Sequence, residues 1–197
     1  LGIAADLTSA GAVNAALASG VLYFGGIDIL FSNAGSFPAS SFIEQTTDEQ
    51  WAAGLAVNLD THFRVLREAI PYLREGFDSA VIINASKNVL APGPGVGVYS
   101  VAKAGLTQLA RVAALELGGV GIRVNVLHPD AVFDTAIWTD EVLSTRAAKY
   151  GLSVAEYKKR NLLATEISSH DVARAVVALA SRTFSKSTGL QLTIDGG

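Results

Sequence analysis

The chain has 197 residues, half of them hydrophobic and 17% charged, a composition that fills one globular interior and excludes disordered and fibrous classes. A net charge of −3 with no dense Lys/Arg run argues against a nucleic-acid partner. There is no cysteine, and the three histidines (His62, His128, His170) lack ligand spacing, so no metal is expected and a reducing, cytoplasmic setting fits.

In chain order, Leu1 to Ala5 reads as the tail of a strand. Leu7 to Ile27 carries no charge over 21 residues, long enough to raise a membrane span. Thr8, Ser9, Asn14 and Ser19 interrupt it, as do the small Ala10, Gly11, Gly20, Gly25 and Gly26. It therefore reads as a helix from about Ser9 to Phe24 packed on a sheet, and no membrane partner is expected. The chain starts without Met or any signal-peptide pattern, which reads as the inside of a longer gene product.

Ile27 to Ser32 (IDILFS) is the next strand. T-D-E-Q at Thr47 is a capping box that opens a helix to about Arg74, with a break expected near Pro71. Ala80 to Asn84 (AVIIN) is an apolar strand. Val98 to Leu117 is helical and ends at Gly118 and Gly119. Ile122 to Leu127 (IRVNVL) is a strand. Asp130 to Thr165 is long, mixed and follows a strand end, as a substrate lid would. A helix from Ser168 to Ser181 and a strand from Leu190 to Ile194 close the chain. Near-continuous apolar strands alternating with helices give an α/β, doubly wound parallel sheet of Rossmann type in a single domain.

Candidate chemistry lies in residues 84–103, "NASKNVLAPGPGVGVYSVAK". Gly93-Pro94-Gly95-Val96-Gly97 lacks the Lys of a Walker loop, and Ser86 to Pro92 separates it from the strand, against a dinucleotide fingerprint. The alternative is a bridge that lets a strand end and a helix start converge on one substrate. Tyr99 and Lys103 are four apart on a predicted helix and share a face. An ammonium there favours the phenolate, which would bring Tyr99 toward working pH as a general acid/base. Ser86, at a strand's carboxyl end, could polarise a carbonyl beside it. The bland alternatives are solvated helix residues for Tyr99 and Lys103, local bonding for Asn58 and Asn33, a cap for Thr135 and packing for His128. Trp51 and Trp138 read as core or lid.

Ser86, Tyr99 thirteen positions on and Lys103 four further resemble the Ser…Tyr-x-x-x-Lys signature of short-chain dehydrogenases/reductases. "NAG" at Asn33 to Gly35, "VNL" around Asn58 and the closing "IDGG" fall in that family's order. The resemblance implies Tyr99 as proton donor/acceptor, Lys103 on the nicotinamide ribose, Ser86 on the substrate oxygen, and Asn58 holding a water that links Lys103 to solvent. It also implies cofactor contacts from Asn33, Ala34, Gly35, Pro129, Val132 and Thr135, with Asp6 on the adenine. NAD is the expected cofactor, with NADP open, and a dimer or tetramer built on the second and third helices is expected. The family's opening strands and glycine-rich loop are absent here, which makes the Leu1 segment a strand without neighbours.

Pro129-Asp130 stands where the family has Pro-Gly. "ASKNVLAPGPGVGVYSVAKAG", "GIRVNVLHPDAVFDTAIWT", "YGLSVAEYKKRNLL" and "SKSTGLQLTIDGG" resemble the dehydrogenase domain of bifunctional rhamnulose-1-phosphate aldolase/alcohol dehydrogenase proteins. That resemblance implies lactaldehyde as substrate and an aldolase domain upstream. Lys87, Asn88, Trp138 and Arg160 are candidates for touching a small polar substrate. The rivals are a sugar or polyol dehydrogenase with the same residues, or a binding relative that has kept the fold without catalysis.

Overall fold

A computed structural model describes residues 1–197. Four strands, β1 (Ile29–Ser32), β2 (Ala80–Asn84), β3 (Arg123–Pro129) and β4 (Gln191–Ile194), pair in that order, all parallel. The helices are α1 (Ala10–Phe24), α2 (Asp48–Leu55), α3 (Thr61–Arg74), α4 (Gly97–Gly118), α5 (Asp140–Lys149), α6 (Val154–Lys158) and α7 (Ser169–Ala180). None is long and apolar enough to cross a membrane.

The central strands β2 and β3 read as apolar runs because both of their faces are covered. On one face Val81, Ile83, Val124 and Val126 pack against Leu66, Ala69 and Leu73 of α3 and Leu106, Ala110 and Leu117 of α4. On the other, Ala80, Ile82 and Leu127 meet Val172 and Leu179 of α7. Each of the larger aliphatic side chains buried this way stabilises the fold by about 1.5–3 kcal/mol. The helix starts follow local chemistry. Thr47 and Gln50 close the expected capping box at 3.0 and 3.2 Å, and Ser168 with Asp171 closes another ahead of α7.

Face two of β3 carries polar groups that are spoken for. The buried Arg123 donates to the carbonyls of Leu179, Ala180 and Phe184 at 2.7, 2.9 and 3.1 Å, so a strand residue caps the C-terminus of α7. Asn125 donates to Ser187 and accepts from the Leu190 amide, guiding the chain into β4.

Four expectations are corrected. Leu1 to Ala5 forms no strand and is largely exposed. A strand exists by pairing, and no strand lies beside this segment; β1 is accordingly an edge, with Ile29 and Phe31 exposed. The second helix does not break at Pro71, whose missing N–H falls on the exposed side near the last turn of α3. It is interrupted instead by a π turn at Ala56–Asp60. Finally, α4 ends within Gly118, and it is Gly121, at φ 81°, that takes the left-handed conformation leading into β3.

Candidate active site

The first turns of α4 put Tyr99 and Lys103 on one face, as their spacing requires, with the Lys103 Nζ 5.7 Å from the centre of the Tyr99 ring. Phe37 packs against the other side of that ring, 4.8 Å between centroids. Burial raises the Tyr99 phenol above its ordinary value, and a hydrogen bond from the Ser86 hydroxyl opposes the rise. The net direction is upward, which corrects the expectation that Lys103 lowers it. Removing the phenolate from water outweighs the nearby ammonium. Lys103 itself is 3% exposed, and burial lowers it to about 8.

Ser86 ends β2 and opens a short turn of residues 87–89. Its hydroxyl accepts from the Asn88 amide at 3.2 Å, which leaves its proton for Tyr99. Its carbonyl lies 2.9 Å from His128 Nδ1, so that nitrogen carries the ring proton. His128 is fully buried in β3 and acts as packing and as a brace for Ser86.

Asn58 sits, fully buried, in the π turn. It donates to the Gly54 carbonyl at 3.1 Å and accepts from the Ser36 amide at 3.2 Å, tying the loop after β1 to the helix. π turns recur at functional sites because the extra residue re-aims a side chain. A Cβ placed on Gly35 would lie 3.0 Å from Asn58 Oδ1 and 3.6 Å from Lys103 Nζ, so Asn58 and Lys103 converge on the bare face of that glycine. The helix carrying Asn58 also comes close to α4. A Cβ on Gly54 would lie 2.2 Å from Val98, the residue before Tyr99. Gly54→Ala is therefore expected to cost roughly 1–3 kcal/mol by overpacking and to lower activity through Tyr99, read as a lower urea midpoint together with a lower kcat.

Sequence reasoning missed His62. Its Nδ1 shares a 2.7 Å hydrogen bond with the Ser32 hydroxyl, and burial, followed by the charge of Lys103, holds it down at about 4. The signal was weak: a lone histidine on a helix face. The unfolded chain takes this proton near 6.5 while the folded chain refuses it until about 4. Stability is thus complete above pH 6.5 and falls as the pH drops through that window, by roughly 3 kcal/mol at its lower end. Urea titrations at pH 7 and pH 4.5 should show the fall, and His62→Gln should remove its share of it.

The remaining predicted residues divide. Asn33 accepts from Asn84 at 2.7 Å, and Asn33, Ala34 and Gly35 form the exposed loop beside Asn58. Pro129 ends β3 beside the base of the 130–165 segment. Val132 pairs with Ile167, and the Thr135 hydroxyl turns back to the Val132 carbonyl at 2.8 Å, a local turn. Asp6 accepts from the amide and hydroxyl of Thr8 ahead of α1 and bonds to none of the Tyr99 group. Trp138 packs on Phe133 and Tyr157, and Arg160 lies over the rings of Tyr150 and Tyr157, so both belong to an aromatic cluster within residues 130–165. Trp51, expected in the core or lid, is 42% exposed on α2.

Two features fit a dinucleotide. Lys103 uses one Nζ proton, on the Asn84 carbonyl at 3.0 Å, and has two left for ribose hydroxyls. Asn84 Oδ1 is buried beside it without a partner. A cavity of about 260 Å³ adjoins Tyr99, walled by Phe37, Val57, Val96 and Val98 with Ser36 and Gln50, and no charged side chain lines it.

A family model described as enoyl-(acyl carrier protein) reductase matches residues 1–197. The chain is 36% identical over 198 residues to an uncharacterized oxidoreductase, YuxG, of Bacillus subtilis (strain 168), covering 98% of this chain and 29% of that protein. Among solved structures, sorbitol-6-phosphate 2-dehydrogenase from Erwinia amylovora superposes with a TM-score of 0.90 at 26% identity, covering 100% of this chain and 78% of that one. Carveol dehydrogenase from Mycobacterium avium, in complex with NAD, does so with a TM-score of 0.90 at 26% identity, covering 98% and 72%. With the serine, tyrosine and lysine gathered at the carboxyl ends of a parallel sheet, the chain belongs to the short-chain dehydrogenase/reductase family.

Proposed function

We propose that this chain is the catalytic part of a nicotinamide-dependent dehydrogenase that interconverts a small hydroxyl compound and its carbonyl. The observation that carries the reading is the convergence of Ser86, Tyr99 and Lys103. When bound, the nicotinamide supplies the hydride donor or acceptor. Tyr99 moves the proton at the substrate oxygen, Ser86 positions that oxygen, and Lys103 holds the ribose with its two spare donors. Asn58 fixes the loop of Asn33, Ala34 and Gly35 against the cofactor, and holds a water that links Lys103 to solvent. Pro129, Val132 and Thr135 face the nicotinamide end, and Asp6 serves the adenine. NAD is the preferred carrier, with NADP as the alternative.

The 130–165 segment acts as the lid, and Lys87, Asn88, Trp138 and Arg160 touch the substrate. Lactaldehyde is the favoured substrate. The sequence stretches resembling the aldolase-fused dehydrogenases support it, and the 29% share of the Bacillus protein is what a dehydrogenase fused to another domain would give. A sugar or polyol is the second reading, favoured by the sorbitol-6-phosphate dehydrogenase likeness. The protein works in the cytoplasm as a homo-oligomer, an arrangement supported by exposed Phe63, Val112 and Leu115 on α3 and α4.

The deciding experiment offers the full-length protein and the 197-residue chain NAD and NADP with lactaldehyde and a polyol panel, following the absorbance of reduced nicotinamide. NAD reduction with lactaldehyde supports the reading. Turnover confined to a polyol moves it to the second reading, and cofactor binding with no turnover of any compound sinks both.

A further inference from the structure

Asp130, the departure from the family's Pro-Gly, has a definite partner. Its carboxylate lies 3.3 Å from the ammonium of Lys87, with the two side chains only 20% and 29% exposed. Lys87 directly follows Ser86, and its turn is braced by the Ser86 hydroxyl. Asp130 directly follows β3, where its amide donates to the Ile194 carbonyl at 3.1 Å. The pair therefore spans the ends of two strands at the lip of the catalytic crevice. Lys87 pairs with no other acid. The cavity beside Tyr99 is likewise free of charged side chains.

We propose that Asp130 sets the charge class of the substrate, by neutralising Lys87 so that the site accepts uncharged hydroxy compounds and rejects their carboxylate counterparts. The inference rests on the dehydrogenase reading above and refines it. A lysine without its acid, half out of water and one residue from the group that holds the substrate oxygen, is a ready anchor for an anion. Its field would be little screened at this depth. With the carboxylate in place, an incoming anion meets a satisfied cation and an adjacent negative charge, and the discrimination comes from that repulsive element.

Glycerol and glycerate form a matched neutral and anionic pair. In the full-length protein, Asp130→Asn should raise the ratio of kcat/KM for glycerate to that for glycerol by about tenfold. Calorimetry should show the same variant binding glycerate about tenfold more tightly than the unaltered protein does. The double variant Lys87→Met/Asp130→Asn should lose both gains. Lys87→Met alone leaves Asp130 unpaired and should weaken glycerate further, so the idea stays testable if Asp130→Asn fails to fold. Equal losses for both compounds would show a purely structural pin and overturn the proposal, as would an unaltered protein that already prefers glycerate. If the unaltered protein oxidises nothing, the dehydrogenase reading falls, and the calorimetry still decides the present one: tighter glycerate in Asp130→Asn upholds it, and no change overturns it.

Discussion

Tyr99→Phe is expected to lower kcat/KM roughly 10²- to 10⁴-fold while leaving the fold intact. The ring keeps its packing against Phe37 at 4.8 Å and its place beside Lys103, so the change deletes one oxygen and its hydrogen bond to Ser86. Unchanged circular dichroism beside lost nicotinamide reduction would assign the loss to proton transfer. The pH profile adds a second check. Alcohol oxidation needs the phenolate to receive the proton, and burial has moved the phenol upward, so oxidation should keep rising into alkaline pH. Carbonyl reduction needs the phenol and should fall over the same range. A Phe variant within twofold of the original would remove Tyr99 from the mechanism.

The largest stability effect is expected at Arg123. Arg123→Met keeps an apolar stem of similar length and abandons the carbonyls of Leu179, Ala180 and Phe184. Buried acceptors left without donors cost about 1–3 kcal/mol each, so an overall loss of roughly 3–5 kcal/mol is expected. That is a large part of the 5–15 kcal/mol that holds a typical domain together. The measurement is the urea midpoint. Arg123→Lys should recover only part of the loss, because an ammonium cannot fork to the helix end and the following turn together. A change below 1 kcal/mol would mean that the carbonyls find other donors.

What could be read from the sequence is what local chemistry dictates. AVIIN and IRVNVL could hardly be anything but covered strands, and the boxes at Thr47 and Ser168 announce their helices. The serine, tyrosine and lysine stood out because their spacing is fixed by one strand end and one helix. The box opened by Ser153 ahead of α6 was equally local, yet was passed over inside a segment read as lid. The rest depends on partners far apart in the chain. Arg123 meets Leu179 56 residues away, and Lys87 meets Asp130 across two strand ends. Neither is visible in a window of neighbouring residues. The direction of the Tyr99 shift was misread for the same reason: desolvation is a property of the packed interior.

The π turn at Ala56–Asp60 fixes the length of this helix to the residue. An α-helix advances about 100° per residue, so a single deletion there would close the wide turn and rotate everything downstream by about that angle. The chain would then have to choose. It could keep Leu66, Ala69 and Leu73 on the sheet and swing Asn58 out of the crevice, or keep Asn58 beside Gly35 and turn those three toward water. Length variation, which costs little in a surface loop, is therefore closed to these five residues.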